Sequence, residues 1–230
     1  MSDAEGGETS GRAGHRHRLR ERFLKGGGAA LPDYELLELL LFETIPRVDV
    51  KPLAKDLVRR FGGYGRVLSA APGELASAGL NERAVAMIKL VHESALRLGQ
   101  AELRQRTVLS SWSRLMEYLR TAMAHEPVEQ FRLLLLDRKN ALIADEVMAR
   151  GTVDHAPVYP REVVKRALEL GATALILVHN HPSGDPTPSR DDIAMTREIA
   201  KAAGALGIAV HDHVIVGRGE PASLKSLGLM

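Results

Sequence analysis

Apolar positions recur at helical spacing through the first hundred residues, then give way to continuous runs. Pro32-Asp33 opens a helical pattern in which Leu36, Leu37, Leu39, Leu40 and Leu41 make a broad apolar face. Asp33, Glu35 and Glu38 stand near its start, where the helix dipole favours acids. A second helix is predicted from about 50 to 61, ended by Gly62-Gly63. Residues 67–70 make a short helical turn, and Pro72-Gly73 opens another over 74–78. Gly79-Leu80-Asn81 reads as a tight turn before a long amphipathic helix over 82–98. Residues 12–100 therefore form a small all-helical domain, followed by a polar linker over 100–106.

The grammar then changes. Ser110 or Ser111 caps a helix that runs to about residue 120. The apolar run 131–136, the charged Asp137-Arg138-Lys139-Asn140 and the run 141–148 read as strand, turn, strand. Pro160 opens a helix to 170, 173–178 is a buried strand, 189–203 a helix and 208–216 another strand. Residues 107–230 are thus an α/β domain.

Composition narrows the class. The 230 residues contain no cysteine, which excludes disulfides, thiolate zinc sites and a cysteine nucleophile. Thirty-one Lys and Arg against 29 Asp and Glu leave a net charge of only +2, so any basic surface must come from local arrangement. Residues 1–11 carry little that can be buried and are expected to be a disordered tail. No run approaches the roughly 20 apolar residues of a membrane span, and nothing resembles a secretory signal. A cytoplasmic protein with no membrane partner is expected.

The densest chemistry lies between Val178 and Asp192. His179 and His181, two apart at the end of an extended run, project from one side of the backbone and can reach one ion. The loop after them holds three prolines and a glycine and returns the chain to Ser189, with Asp192 three residues later. Two imidazoles and a carboxylate, with a fourth position open to a water of lowered pKa, describe a catalytic rather than a structural zinc site. Each piece also has a plainer reading: His-x-His as polar surface, and Ser189 with Asp192 as a capping box.

His179, His181, Ser189 and Asp192 stand in the pattern H-x-H-x7-S-x2-D, which resembles the JAMM signature of the JAB/MPN metalloprotease superfamily. The longer string from Gly151-Thr152 through Val158-Tyr159-Pro160-Arg161-Glu162 to His179-Asn180-His181-Pro182-Ser183-Gly184 resembles the bacterial RadC family. So do Gly14-His15-Arg16 and Asp33-Tyr34-Glu35-Leu36-Leu37-Glu38. The resemblance implies a cytidine-deaminase-like α/β domain with a mixed sheet flanked by helices, behind a small all-α helix-hairpin-helix domain. It also implies one zinc per chain on His179, His181 and Asp192, with Ser189 helping to hold the oxyanion. A glutamate before the first strand is implied as general base. Glu129 is the candidate, with Glu126, Glu146 and Glu162 as rivals. The implied reaction is hydrolysis of an amide or isopeptide bond in a protein or peptide.

Two further features stay open. His211-Asp212-His213 is a second His-x-His, either support for the zinc ligands or a structural element, and His155 and Tyr159 are candidates to face the cleft. Residues 75–88 resemble a helix-hairpin-helix, which offers backbone N–H groups to a DNA phosphate without reading sequence. Gly79 fits that turn. Asn81 stands where a second glycine is usual, and asparagine tolerates the left-handed conformation. With Arg16 and Arg18 of a basic segment over 12–25, these residues point to weak, salt-sensitive DNA binding, or only to a packing hairpin with a solvated arm. The competing function is therefore a DNA-binding accessory protein of repair or recombination with a structural or vestigial zinc.

Overall fold

The structure, a computed structural model, describes residues 5–104, 108–151 and 158–230. The chain divides into two compact units, 1–93 and 94–230, rather than at the expected linker after residue 100. The reason lies in the last turns of one long helix: Leu96 and Leu103 pack into the core of the second unit.

The first unit is helical. It holds α1 (Glu5–Gly26), α2 (Asp33–Thr44), α3 (Lys51–Phe61), α4 (Tyr64–Ser69), α5 (Pro72–Ser77) and the start of α6 (Glu82–Arg104). Leu37 and Leu41 of α2 are buried with Ala54, Leu57, Val67, Leu75, Ala84 and Ile88, and Leu19 joins them from α1. The backbone of α1 is helical from Glu5, inside the tail expected to be disordered, while residues 1–4 lie outside the described residues. Once Leu19 anchors a helix, each added residue gains one hydrogen bond without paying for a new nucleus.

Polar contacts dock α1 on α2. The Arg16 guanidinium donates to the carbonyls of Phe42 (3.3 Å), Ile45 (3.3 Å) and Val48 (2.9 Å), and lies 4.7 Å above the Phe42 ring. It closes the carboxyl end of α2, where carbonyls lack helical partners. His15 sits 3.0 Å from the buried Glu38, Arg22 3.0 Å from Glu35 and Arg20 2.6 Å from Glu43. Much of the basic segment is thus engaged with acids of its own unit, and Arg18 is the exposed member of the expected DNA-binding pair.

The turn between α5 and α6 differs from expectation in one residue. Gly79 has φ +92°, and its N–H is donated to the Ala76 carbonyl. Asn81 is not left-handed: among the described residues only Arg47 and Asn140 take positive φ without being glycine. Its Oδ1 instead accepts the Ala84 N–H at 2.9 Å, so Asn81 caps α6.

The second unit follows α7 (Trp112–Met123), with Ser111 at its N-cap, by β1 (Gln130–Leu136) and β2 (Leu142–Arg150). Then come α8 (Pro160–Glu169), β3 (Ala174–Asn180), α9 (Arg190–Gly204), β4 (Ala209–Val216) and a short β5 (Ala222–Ser223) that the apolar pattern did not reveal. The sheet runs β2-β1-β3-β4-β5 and is mixed: β3 and β4 are parallel, the other pairs antiparallel. Alternation sorts its faces. Leu134, Leu136, Ile176, Val178, Val214 and Val216 pack with Leu115 and Leu119 of α7, whereas Phe131, Leu133, Leu175 and Leu177 pack with Val163 of α8 and Ile199 of α9. No helix among the described residues is long and apolar enough to cross a membrane.

Arg16→Ala is expected to lower the unfolding free energy of the chain by about 1–3 kcal/mol, since charged donors leave three carbonyls, whereas Arg18→Ala stays within about 0.5 kcal/mol. Urea unfolding followed by circular dichroism measures both.

Candidate metal centre

The site forms where the carboxyl end of β3 meets the amino end of α9. Phe131 pairs with His179 and Val216 with Asn180, so the end of β3 is held by a strand on each side. His181, one residue past β3, keeps that line by donating its N–H to the Val216 carbonyl at 3.0 Å. The two imidazoles face each other, with Nε2 atoms 2.9 Å apart. Gly184 (φ +92°) and the prolines then lead the loop back, and Gly184 accepts the Arg218 N–H at 2.9 Å.

Ser189 caps α9. Its Oγ accepts the Asp192 N–H at 3.1 Å, while Asp192 Oδ2 accepts the Ser189 N–H and O–H, each at 2.7 Å. The capping box and the metal-competent placement of Asp192 are therefore one arrangement. Held by the box, the carboxylate places Oδ1 3.2 Å from His179 Nε2 and Oδ2 3.6 Å from His181 Nε2.

These three residues are the one such metal-competent group among the described residues, with ligand atoms within 4.8 Å of one another. Tetrahedral zinc with ligands at about 2.0–2.1 Å separates them by about 3.3 Å, near the 2.9 Å between the two Nε2 atoms and the 3.2 Å from His179 Nε2 to Asp192 Oδ1. The donor chemistry agrees. His181 Nδ1 lies 2.7 Å from the Asp185 carbonyl, which can only accept, so Nδ1 carries the proton and Nε2 turns a lone pair inward.

Electrostatics favour a cation at this point. Burial opposes ionisation of Asp192, but its polar contacts with His179, His181 and Ser189 outweigh it and hold the carboxyl well below its usual range. The Asp192 hydrogen bond raises the His181 pKa against partial burial, helped by the Asp185 carbonyl and by the charges of Asp192 and Glu129. On the far side of His179, burial and then the charge of His179 push His213 well below the ordinary histidine value.

Residues 109–229 match the family described as RadC-like JAB domain. The chain belongs to this family. It is 62% identical over 213 residues to a UPF0758 protein of Rhodobacter capsulatus, covering 92% of this chain and all of that one. A UPF0758 protein of Ruegeria pomeroyi is 58% identical over 217 residues, covering 94% of this chain and 97% of its own. The mixed sheet flanked by helices is the JAB domain of this RadC-like protein.

The glutamates separate by their partners. Glu129 stands one residue before β1, its carbonyl accepts the Gly151 N–H at 2.9 Å, and its charge reaches His181. Glu126 accepts from Gln130 Nε2 at 2.6 Å, Glu146 is clamped by Arg166 at 2.6 Å, and Glu162 is an exposed neighbour of Arg161. Tyr159 is exposed with the Arg161 guanidinium 5.0 Å from its ring, and His155 lies outside the described residues. His211 turns to Asn140 Oδ1 at 2.7 Å, while His213 is buried with Nε2 2.8 Å from His179 Nδ1.

Sequence reasoning passed over Asn180, the residue between the two histidines. It is buried, its Oδ1 accepts the Gln130 N–H at 2.8 Å, and its Nδ2 donates to the Val128 carbonyl at 3.2 Å. It thus ties the segment bearing Glu129 to the strand bearing His179. The available signal was an amide inside an otherwise apolar strand, which folding tolerates only with partners. Asn180→Ala strands the buried Gln130 N–H, and is expected to cost the RadC-like fold about 1–3 kcal/mol and speed Gln130 amide exchange, measured by hydrogen-exchange NMR.

Proposed function

We infer that this RadC-like protein is a zinc-dependent hydrolase of amide or isopeptide bonds in a protein or peptide, with one zinc held by His179, His181 and Asp192. The convergence of two Nε2 atoms and a carboxylate within 4.8 Å is the observation that carries the reading. A bound zinc supplies Lewis acidity to a water and to the scissile carbonyl. Glu129 takes the proton of the attacking water and delivers it to the departing amine. The Ser189 hydroxyl, at the N-cap of α9, turns from Asp192 Oδ2 to donate to the carbonyl oxygen as that oxygen gains charge, and the helix dipole favours charge there too.

Asn180 and the capping box serve this chemistry indirectly. The first keeps the Glu129 segment against the end of β3, and the second keeps Asp192 from rotating away. Neither task requires the helical unit. Within the hairpin the Gly79 N–H is donated to the Ala76 carbonyl and Asn81 Oδ1 caps α6, which weighs against Gly79 as a phosphate donor.

Purified full-length chain is expected to hold about one zinc, lost in His179→Ala and Asp192→Ala, by elemental analysis after dialysis. Glu129→Gln is expected to retain that zinc and to lower hydrolysis of a peptide and isopeptide library by about 10²–10⁴-fold. A fully active Glu129→Gln removes Glu129 from the mechanism. A zinc-loaded chain that cleaves nothing in the library, yet binds duplex DNA in a salt-dependent way, favours the accessory role instead.

A further inference from the structure

Behind His179 the side chains form a file that no ligand-counting explains. Thr196 stands one helical turn after Asp192 on α9 and is fully buried, as is His213 on β4. Thr196 Oγ1 lies 2.6 Å from the Asp192 carbonyl and 2.5 Å from His213 Nδ1. His213 Nε2 lies 2.8 Å from His179 Nδ1, and His179 Nε2 looks into the metal centre. The Phe131 ring, edge-on at 5.9 Å, packs against the His213 imidazole, and Asp212 Oδ1 accepts the His213 N–H at 2.7 Å.

The protons in this file have one self-consistent direction. A carbonyl only accepts, so a 2.6 Å contact between it and a hydroxyl requires the Thr196 hydrogen to lie between them. Thr196 Oγ1 is then an acceptor toward His213, and Nδ1 of His213 must bring the proton. A neutral imidazole carrying its proton on Nδ1 has only a lone pair on Nε2. That lone pair can accept from His179 only if His179 carries a proton on Nδ1, which in the neutral ring leaves His179 Nε2 bare. The reversed file puts two acceptor oxygens 2.6 Å apart and ends with a hydrogen on His179 Nε2, where it would exclude a cation.

We propose that Thr196 and His213 form a one-way hydrogen-bond relay that fixes His179 in the Nδ1–H tautomer and so reserves its Nε2 for the metal. The proposal rests on the zinc reading of the site and deepens it. Both residues are positioning residues, since neither touches the ion or a substrate. The relay also explains why one helix supplies two contacts. α9 contributes Asp192 to the metal, and one turn later Thr196 sets the proton that frees the facing histidine. His181 reaches the same tautomer by a simpler route, through the Asp185 carbonyl. The partly buried ligand takes a backbone acceptor, whereas the fully buried one takes a chain of side chains ending on the helix that carries the third ligand.

The test combines long-range 1H–15N correlation NMR of the ¹⁵N-histidine-labelled full chain, with and without Zn²⁺, and zinc affinity by chelator competition. His213 is expected as the Nδ1–H form in both states, and His179 as Nδ1–H with zinc on Nε2. Thr196→Val, which removes the hydroxyl at similar volume, is expected to weaken zinc binding about 10–100-fold, and Thr196→Ser to restore it. A His213 Nε2–H spectrum in the wild-type chain overturns the relay, and this readout does not depend on any variant folding. A folded Thr196→Val with wild-type zinc affinity overturns it as well. A chain that takes no zinc but shows His213 as Nδ1–H defeats the metal reading while upholding the direction of the relay, so the two failures are told apart.

Discussion

Burying an imidazole at the end of a central strand demands a partner for each of its two ring nitrogens. His179 is almost wholly buried between β1 and β4, and that demand organises everything around it. One nitrogen is answered from behind by His213, which in turn requires Thr196. The other opens on His181 and Asp192, and three atoms rich in lone pairs face one another there. Such a convergence is repulsive unless a proton or a cation lies among them.

The same economy appears at α9. A capping box is ordinary helix-terminus chemistry and stabilises a fold whether or not a metal is present. Here its acidic residue is an aspartate rather than the longer glutamate, and the short side chain reaches both the Ser189 amide and the two histidines. Structural and functional readings of Ser189 and Asp192 describe the same bonds. Stability of the helix start and aim of the carboxylate cannot be separated by substituting Asp192 alone, whereas Thr196, one turn along, contacts His213 without entering the capping box.

What could be read from the sequence follows from what leaves a local trace. Helices α2 and α3 and strands β1, β3 and β4 are marked by period and by glycine or proline at their ends, and they lie where the pattern places them. The metal group was visible because His179 and His181 share a strand face and Asp192 follows a stiff loop. Long-range partners leave weaker marks. Asn180, Thr196 and His213 are buried polar residues, and only the fold shows that each is spent on a named partner. The division of the chain was misplaced because α6 crosses it without a break, so no turn residue marks the change from one core to the other. Asn81 was assigned a left-handed turn from its residue type, but a side-chain oxygen three residues before a free N–H makes a cap instead.

The RadC-like fold thus presents a JAB domain whose metal-competent group lies at the end of β3 and the start of α9, with a helical unit in which Arg20 and Arg22 pair with Glu43 and Glu35. The central claim is that His179, His181 and Asp192 hold one zinc through the two Nε2 atoms and a carboxylate oxygen. Anomalous diffraction at the zinc edge from crystals of the zinc-loaded chain tests it directly. One peak about 2.0–2.2 Å from His179 Nε2, His181 Nε2 and an Asp192 oxygen is the predicted result. Absence of a peak there, or a zinc bound through Nδ1 of either histidine, would contradict the account.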